Sequence, residues 1–202
     1  MGMSAVAGPL QSRLVMVFID GAVLRRKLRE WFGHDRIDLL NFTWYELVRI
    51  VDFNVVHGEL VRAYFYDAIL PPNDPDSAAQ EKYYARLRRF EFCEVRLGRV
   101  IRGDGGQLRQ KGVDALMAID MVSKAFQGQY DIAVMVANDD DFVDIAKSIR
   151  DTGKRLCGAY FEPNVSQRLL DQFDRRKALT KETLAKYMMK EEDWGKGVGS
   201  AP

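Results

Sequence analysis

Sulfur and imidazole are scarce in this chain. Two cysteines, Cys93 and Cys157, and two histidines, His34 and His57, are all that 202 residues provide. They share no metal-ligand spacing, so a zinc centre built from thiolate and imidazole is nearly excluded. One disulfide remains open, but two free thiols in a reducing compartment is the preferred reading. Long apolar runs are missing too: no stretch approaches the roughly 18 residues of a membrane span. The start, Met1 to Gln11, lacks a basic region followed by an apolar one, so no signal peptide is expected. The chain therefore reads as cytoplasmic, with no membrane partner. Charge of one sign is absent as well. Thirty basic and 29 acidic residues leave a net charge of +1, so only local clustering can argue for a polyanionic partner.

What is present suits one compact domain. Hydrophobic residues make up 47% of the chain, enough at this length for a single well-buried core. Leu14 to Ile19 and Ile132 to Val136 are continuous apolar runs, the pattern of parallel strands buried on both faces. Further strands are expected over Leu60 to Tyr66, Glu94 to Arg102 and Arg155 to Phe161. Helical patterns cover Ala22 to Phe32, Thr43 to about Asn54 with Thr43 as N-cap, Ser77 to Phe92, Val113 to Gln127 and Val143 to Arg150. Asn164 to Phe173 and Lys181 to Lys190 read as helices as well. Arg102 to Gly112 is glycine-rich and basic, and reads as a mobile loop. Alternating strands and helices predict an α/β fold with a mainly parallel central sheet flanked by helices. The expected organisation is a flexible N-terminus at 1–12, one domain at 13–192 with a C-terminal helical extension, and a disordered tail at 193–202. The extension can equally form extra packing helices or a homodimer contact.

Open parallel sheets place their sites just beyond the carboxyl ends of the strands. Asp20 closes the first apolar run, and Asp139, Asp140 and Asp141 follow the Ile132 to Val136 run. If those strands are neighbours, the carboxylates converge and repel, and a bound divalent cation relieves that repulsion. The plainer alternatives are a turn role for Asp20 before Gly21, and helix capping for the triple. One aspartate suffices for a cap, so three in a row favour a site.

Three motifs in this order and spacing, VFIDGAVL, KGVDALMAIDM and VANDDDF followed by GKRLCGAYF, resemble the NYN domain, a PIN-like ribonuclease group. The resemblance covers about Leu14 to Phe161. It implies a PIN-like three-layer sandwich and a metal-dependent endoribonuclease that hydrolyses RNA with Mg²⁺ or Mn²⁺. It also implies that Asp20, Asp114, Asp139 and Asp141 are the metal-binding, catalytic acids. Asp140 takes the motif's variable position, and Asp120 lies toward a different helical face and reads as structural. Two positions depart from the family's usual form: Val23 replaces an Asn, and Ala137-Asn138 replaces Ser-Gly, where Asn138 can supply the lost hydrogen bond to substrate.

RNA needs cations beside that acidic pocket. Arg102, Arg109 and Lys111 before Asp114 form the preferred group. Arg25, Arg26, Lys27 and Arg29 follow Asp20 on the first helix, with Arg25 the candidate among them; for any single residue a solvated helix face is the plainer account. Two rivals stand against the nuclease. A haloacid-dehalogenase-like phosphatase needs a second acid two places after Asp20, where Ala22 stands. A catalytically inactive PIN-like module that binds RNA or protein would keep the fold, and Val23 and Ala137 favour it.

Overall fold

A computed structural model describes residues 12–51, 58–102 and 108–190, the side chains of Arg102 and Leu108 excepted. The expectations for 1–11, for 193–202 and for the tip of the glycine-rich segment lie outside the described residues. Seven strands form one sheet in the order β4-β3-β2-β1-β5-β6-β7. They are β1 (Arg13–Asp20), β2 (Gly58–Ile69), β3 (Cys93–Arg102), β4 (Leu108–Lys111), β5 (Ile132–Val136), β6 (Arg155–Tyr160) and β7 (Arg175–Ala178). Every pairing is parallel except that of β3 with β4. The helices are α1 (Gly21–Phe32), α2 (Leu39–Phe42), α3 (Ser77–Leu87), α4 (Val113–Phe126), α5 (Val143–Asp151), α6 (Gln167–Leu170) and α7 (Lys181–Ala185).

Strand periodicity splits the core in two. Successive residues of β1 point to opposite faces. Val15, Val17 and Ile19 pack with Leu24, Phe65 and Tyr84 on the side of α1 and α3. Met16 and Phe18 pack with Tyr66, Met117, Met121 and Phe142 on the side of α4 and α5. Both apolar runs are buried on both faces, as their uninterrupted hydrophobicity predicts. The result is the three-layer α/β sandwich expected from the sequence. Both cysteines are free. Among the described residues no helix is long and apolar enough to cross a membrane.

Several boundaries differ from expectation, each for a local reason. The helix expected to start at Thr43 starts at Leu39, because Asp38 accepts a hydrogen bond from the Asn41 N–H at 3.1 Å. Thr43 is buried instead, opening a π-helical turn over Thr43–Leu47. α3 stops at Leu87, short of Phe92. Phe90 turns into the core, and Phe92 takes a left-handed φ of 57° as the chain reverses into β3. The basic loop before α4 contains β4, whose Arg109 and Lys111 pair with Ile101 and Arg99. The strand's four residues, three of them polar, are too short a run for alternation to be read. The segment 164–190 is not simply helical: Arg175–Ala178 forms the edge strand β7, its charges being the kind that edges carry.

Gly21 fixes how closely β1 can turn into α1. A Cβ there would sit 2.5 Å from the Phe65 ring and 2.6 Å from the Tyr66 carbonyl oxygen. The carbonyl belongs to the adjacent strand and cannot swing aside. We expect Gly21→Ala to destabilise the protein by about 1–3 kcal/mol, the range for overpacking, read as a lower urea midpoint at unchanged slope. An unchanged midpoint would mean that the turn has slack.

Candidate active site at the carboxyl edge of the sheet

Three separate segments deliver acids to one edge. Asp20 is the last residue of β1. Asp139 and Asp141 follow β5, which pairs directly with β1 through Ile19 and Val136. Asp114 comes from the first turn of α4. Gly112, at φ +84°, makes the tight turn that lets β4 run almost straight into α4. α4 packs on the sheet face occupied by Met16 and Phe18, and alternation along β1 puts Asp20 on that same face.

Asp20 is buried, 6% exposed. Burial is the largest influence on its carboxyl and, helped by the negative charge of Asp114, raises its pKa from 3.8 to about 7. Backbone hydrogen bonds, chiefly from Val23, pull the other way. Asp114 is also raised, by partial burial first and then by the charges of Asp139 and Asp141. Asp114 is therefore the electrostatic hub linking the β1 acid to the β5 acids. Among the described residues, no lysine, arginine or histidine pairs with any of these four.

The capping reading and the site reading are compatible. Asp20 Oδ1 accepts the Val23 N–H at 3.1 Å and caps α1. Asp139 Oδ1 accepts the Asp141 N–H at 3.2 Å and caps the short turn Asp140–Phe142. In each case one oxygen orients the carboxylate while Oδ2 makes no hydrogen bond among the described residues. An all-carboxylate donor set suits a hard divalent cation and no softer metal. As the side chains lie, no three acidic, imidazole or thiol groups among the described residues close on a common point. Asp114, Asp139 and Asp141 are exposed, which leaves them room to swing toward an ion. The donor chemistry fits; the closed geometry would have to form on binding.

Other candidates fall in different places. Asn138 is turned into the fold. Its Nδ2 donates to the Phe161 and Asn164 carbonyls, both at 2.6 Å, and its Oδ1 accepts the Phe161 N–H at 2.9 Å. Its amide thus staples β5 to the chain leaving β6. Asp140 is held by Ser166 and Arg168. Asp120 binds the Tyr66 hydroxyl and Lys124, both at 3.0 Å, as a structural residue would. Arg25 bridges Asp67 and Asp35 at 2.6 Å each. Arg109 and Lys111 are exposed on β4. Gln110, between them, donates to Asp67 at 3.3 Å and pairs with Val100 across the β3–β4 ladder. The Arg102 side chain lies outside the described residues. Asp67, just after the β-rich run Leu60 to Tyr66, is buried at 1% exposure and is the partner of Arg25; its place inside the long strand β2 is the signal that could have found it.

The NYN domain family matches residues 14–179. The chain belongs to the NYN family. NYN domains are part of the PIN-like superfamily, whose nuclease character fits acids gathered at a strand edge. A solved structure of a protein of unknown function from Vibrio parahaemolyticus is similar in fold, with a TM-score of 0.62 at 23% identity over 83% of this chain and 93% of that one. A putative oxidoreductase from Parabacteroides merdae aligns over 86% of this chain and 29% of its own at 13% identity, but a TM-score of 0.29 carries no weight. Comparison with curated proteins gives no match.

Proposed function

We propose that this NYN domain is a metal-dependent endoribonuclease. The observation that carries the reading is the electrostatic chain from Asp20 through Asp114 to Asp139 and Asp141, gathered from three segments with no basic partner among the described residues. Asp20, Asp114, Asp139 and Asp141 would hold Mg²⁺ or Mn²⁺ through their free oxygens. A metal so held supplies an activated water and charge neutralisation on the scissile phosphate. The chain's own contribution is orientation: the caps on Asp20 and Asp139 aim one oxygen of each. Arg109 and Lys111, exposed on β4, would meet the phosphates. Arg102 is proposed to join them. A cytoplasmic setting matches the free thiols.

The inactive-module reading retains one support. Ala137 is buried and has no hydroxyl, and Asn138 is engaged by backbone, so the usual Ser-Gly contact has no replacement on this turn. The deciding experiment pairs thermal unfolding, with and without Mn²⁺, with cleavage of single-stranded and structured RNA. A ligand bound only by the folded state raises the midpoint, by an amount equivalent to about 2.7 kcal/mol at a hundredfold excess over Kd. We expect a rise in the midpoint and metal-dependent cleavage. A rise without cleavage selects the inactive module, and neither result removes the metal site.

A further inference from the structure

Around the sheet edge from the acid cluster lies a second concavity, an open cleft of about 670 Å³. One wall is α1, with Arg26 and Arg29; the facing wall is α3 and the turn before it, with Asp74 and Tyr83; Asp67 and Gln110 form part of the floor. Ala22, two residues beyond Asp20, lines its near end. Asp67 is also close enough to add to the charges acting on Asp20. The near end of the cleft therefore lies beside the carboxyl end of β1.

The two arginines differ from their neighbour. Arg25 is locked between Asp35 and Asp67. Arg26 is exposed and has no ion pair among the described residues, while Arg29 shares Asp35 with 58% of its side chain exposed. One turn of helix thus presents Arg26 and Arg29 along the cleft, beside Asp35 and Arg36 and across from Asp74 and Asp76. Those acids are also suitable acceptors for the amino groups of bases. The volume is that of a pocket for a drug-sized molecule, about 300–1,000 Å³, room for a very short length of single strand and not for a duplex.

We propose that this cleft carries the RNA chain on one side of the scissile phosphate as a single strand, its phosphates on Arg26 and Arg29. The inference rests on the nuclease reading and extends it: the strand leaves the scissile phosphate past Ala22 and runs along the α1 arginines. Binding of a labelled oligouridylate and of a labelled RNA hairpin is measured by fluorescence anisotropy in chelator, across a salt series, so that cleavage does not enter. Each phosphate contact on single strands contributes about 0.7 to the slope of log K against log salt. Arg26→Gln/Arg29→Gln should lower the single-strand slope by about 1.4, while Arg26→Lys/Arg29→Lys keeps it and hairpin binding changes little. Arg26→Gln alone, which breaks no ion pair among the described residues, should lower it by about 0.7. An unchanged slope in both glutamine variants overturns the cleft and leaves the nuclease intact. Failure of the wild type to bind either RNA overturns both.

Discussion

Asp20→Asn should abolish RNA cleavage without unfolding the protein. Asparagine caps helices as well as aspartate does, so the hydrogen bond from Val23 and the start of α1 survive. What disappears is a negative oxygen at the centre of the proposed metal set. Outer-shell partners alone typically cost 10–100-fold when removed, and a direct ligand should cost more. Metal-free stability should move the opposite way. Burial, with help from Asp114, raises the Asp20 pKa from 3.8 to about 7. Because the folded-state value exceeds the unfolded one, the folded protein holds the proton more tightly. That stabilisation is fully present below about pH 4 and is lost as pH rises through 7. Asparagine mimics the neutral form at every pH. Above pH 7 the variant should therefore unfold at higher urea than the metal-free wild type, and Mn²⁺ should stabilise the wild type far more than the variant. Cleavage equal to wild type would place the chemistry elsewhere. A variant less stable above pH 7 would mean that Asp20 is held by partners rather than strained by burial.

The same residue shows how much the sequence discloses. Asp20 was legible because an apolar run ends abruptly at an acid and a glycine, and parallel sheets put their sites at such ends. Asp114 was legible only through the Lys-Gly-Val-Asp motif, since nothing in its own neighbourhood announces that α4 begins beside β1. The strands buried on both faces read correctly to within a residue or two, because burial leaves an uninterrupted apolar signature. The edges did not. β4 and β7 are short and charged, and Arg109 and Lys111 fell in a stretch that read as a mobile loop because edge strands are built that way. Asn138 shows a further limit: a polar residue beside a site can face inward, and only the positions of the Phe161 and Asn164 backbone reveal that its amide is already engaged. Arg25 misled for the mirror-image reason. Arg26 and Arg29 on the same helix are exposed cations, but the helix position of Arg25 turns it toward the buried Asp67.

That arginine supports the largest stability effect we expect. Asp67 is 1% exposed, and its Oδ2 takes 2.6 Å contact from Arg25 Nη1. Its Oδ1 has the Ala68 N–H at 2.8 Å and Gln110 Nε2 at 3.3 Å. Arg25 also donates to the Tyr84 hydroxyl at 3.1 Å and to Asp35 at 2.6 Å. At Asp35 burial opposes ionisation, but the hydrogen bonds and charges of Arg25 and Arg29 prevail and hold its pKa below the usual carboxylate value. Arg25→Met keeps much of the side-chain bulk and removes the charge, leaving a buried carboxylate with no cation. Breaking one side of a buried pair costs about 3–5 kcal/mol, against the near-zero cost of losing an exposed one. We expect Arg25→Met to lose that much stability in urea at pH 7. Arg25→Met/Asp67→Asn should recover a large part of the loss, because the stranded charge goes with its partner. A double-mutant cycle separates the two accounts. A coupling near zero, or a single-variant loss below about 1 kcal/mol as for exposed pairs, would show that water reaches Asp67 and that the pair is ordinary surface charge. A loss of the expected size together with unchanged single-strand RNA binding would assign Arg25 to the scaffold and leave phosphate contact to Arg26 and Arg29.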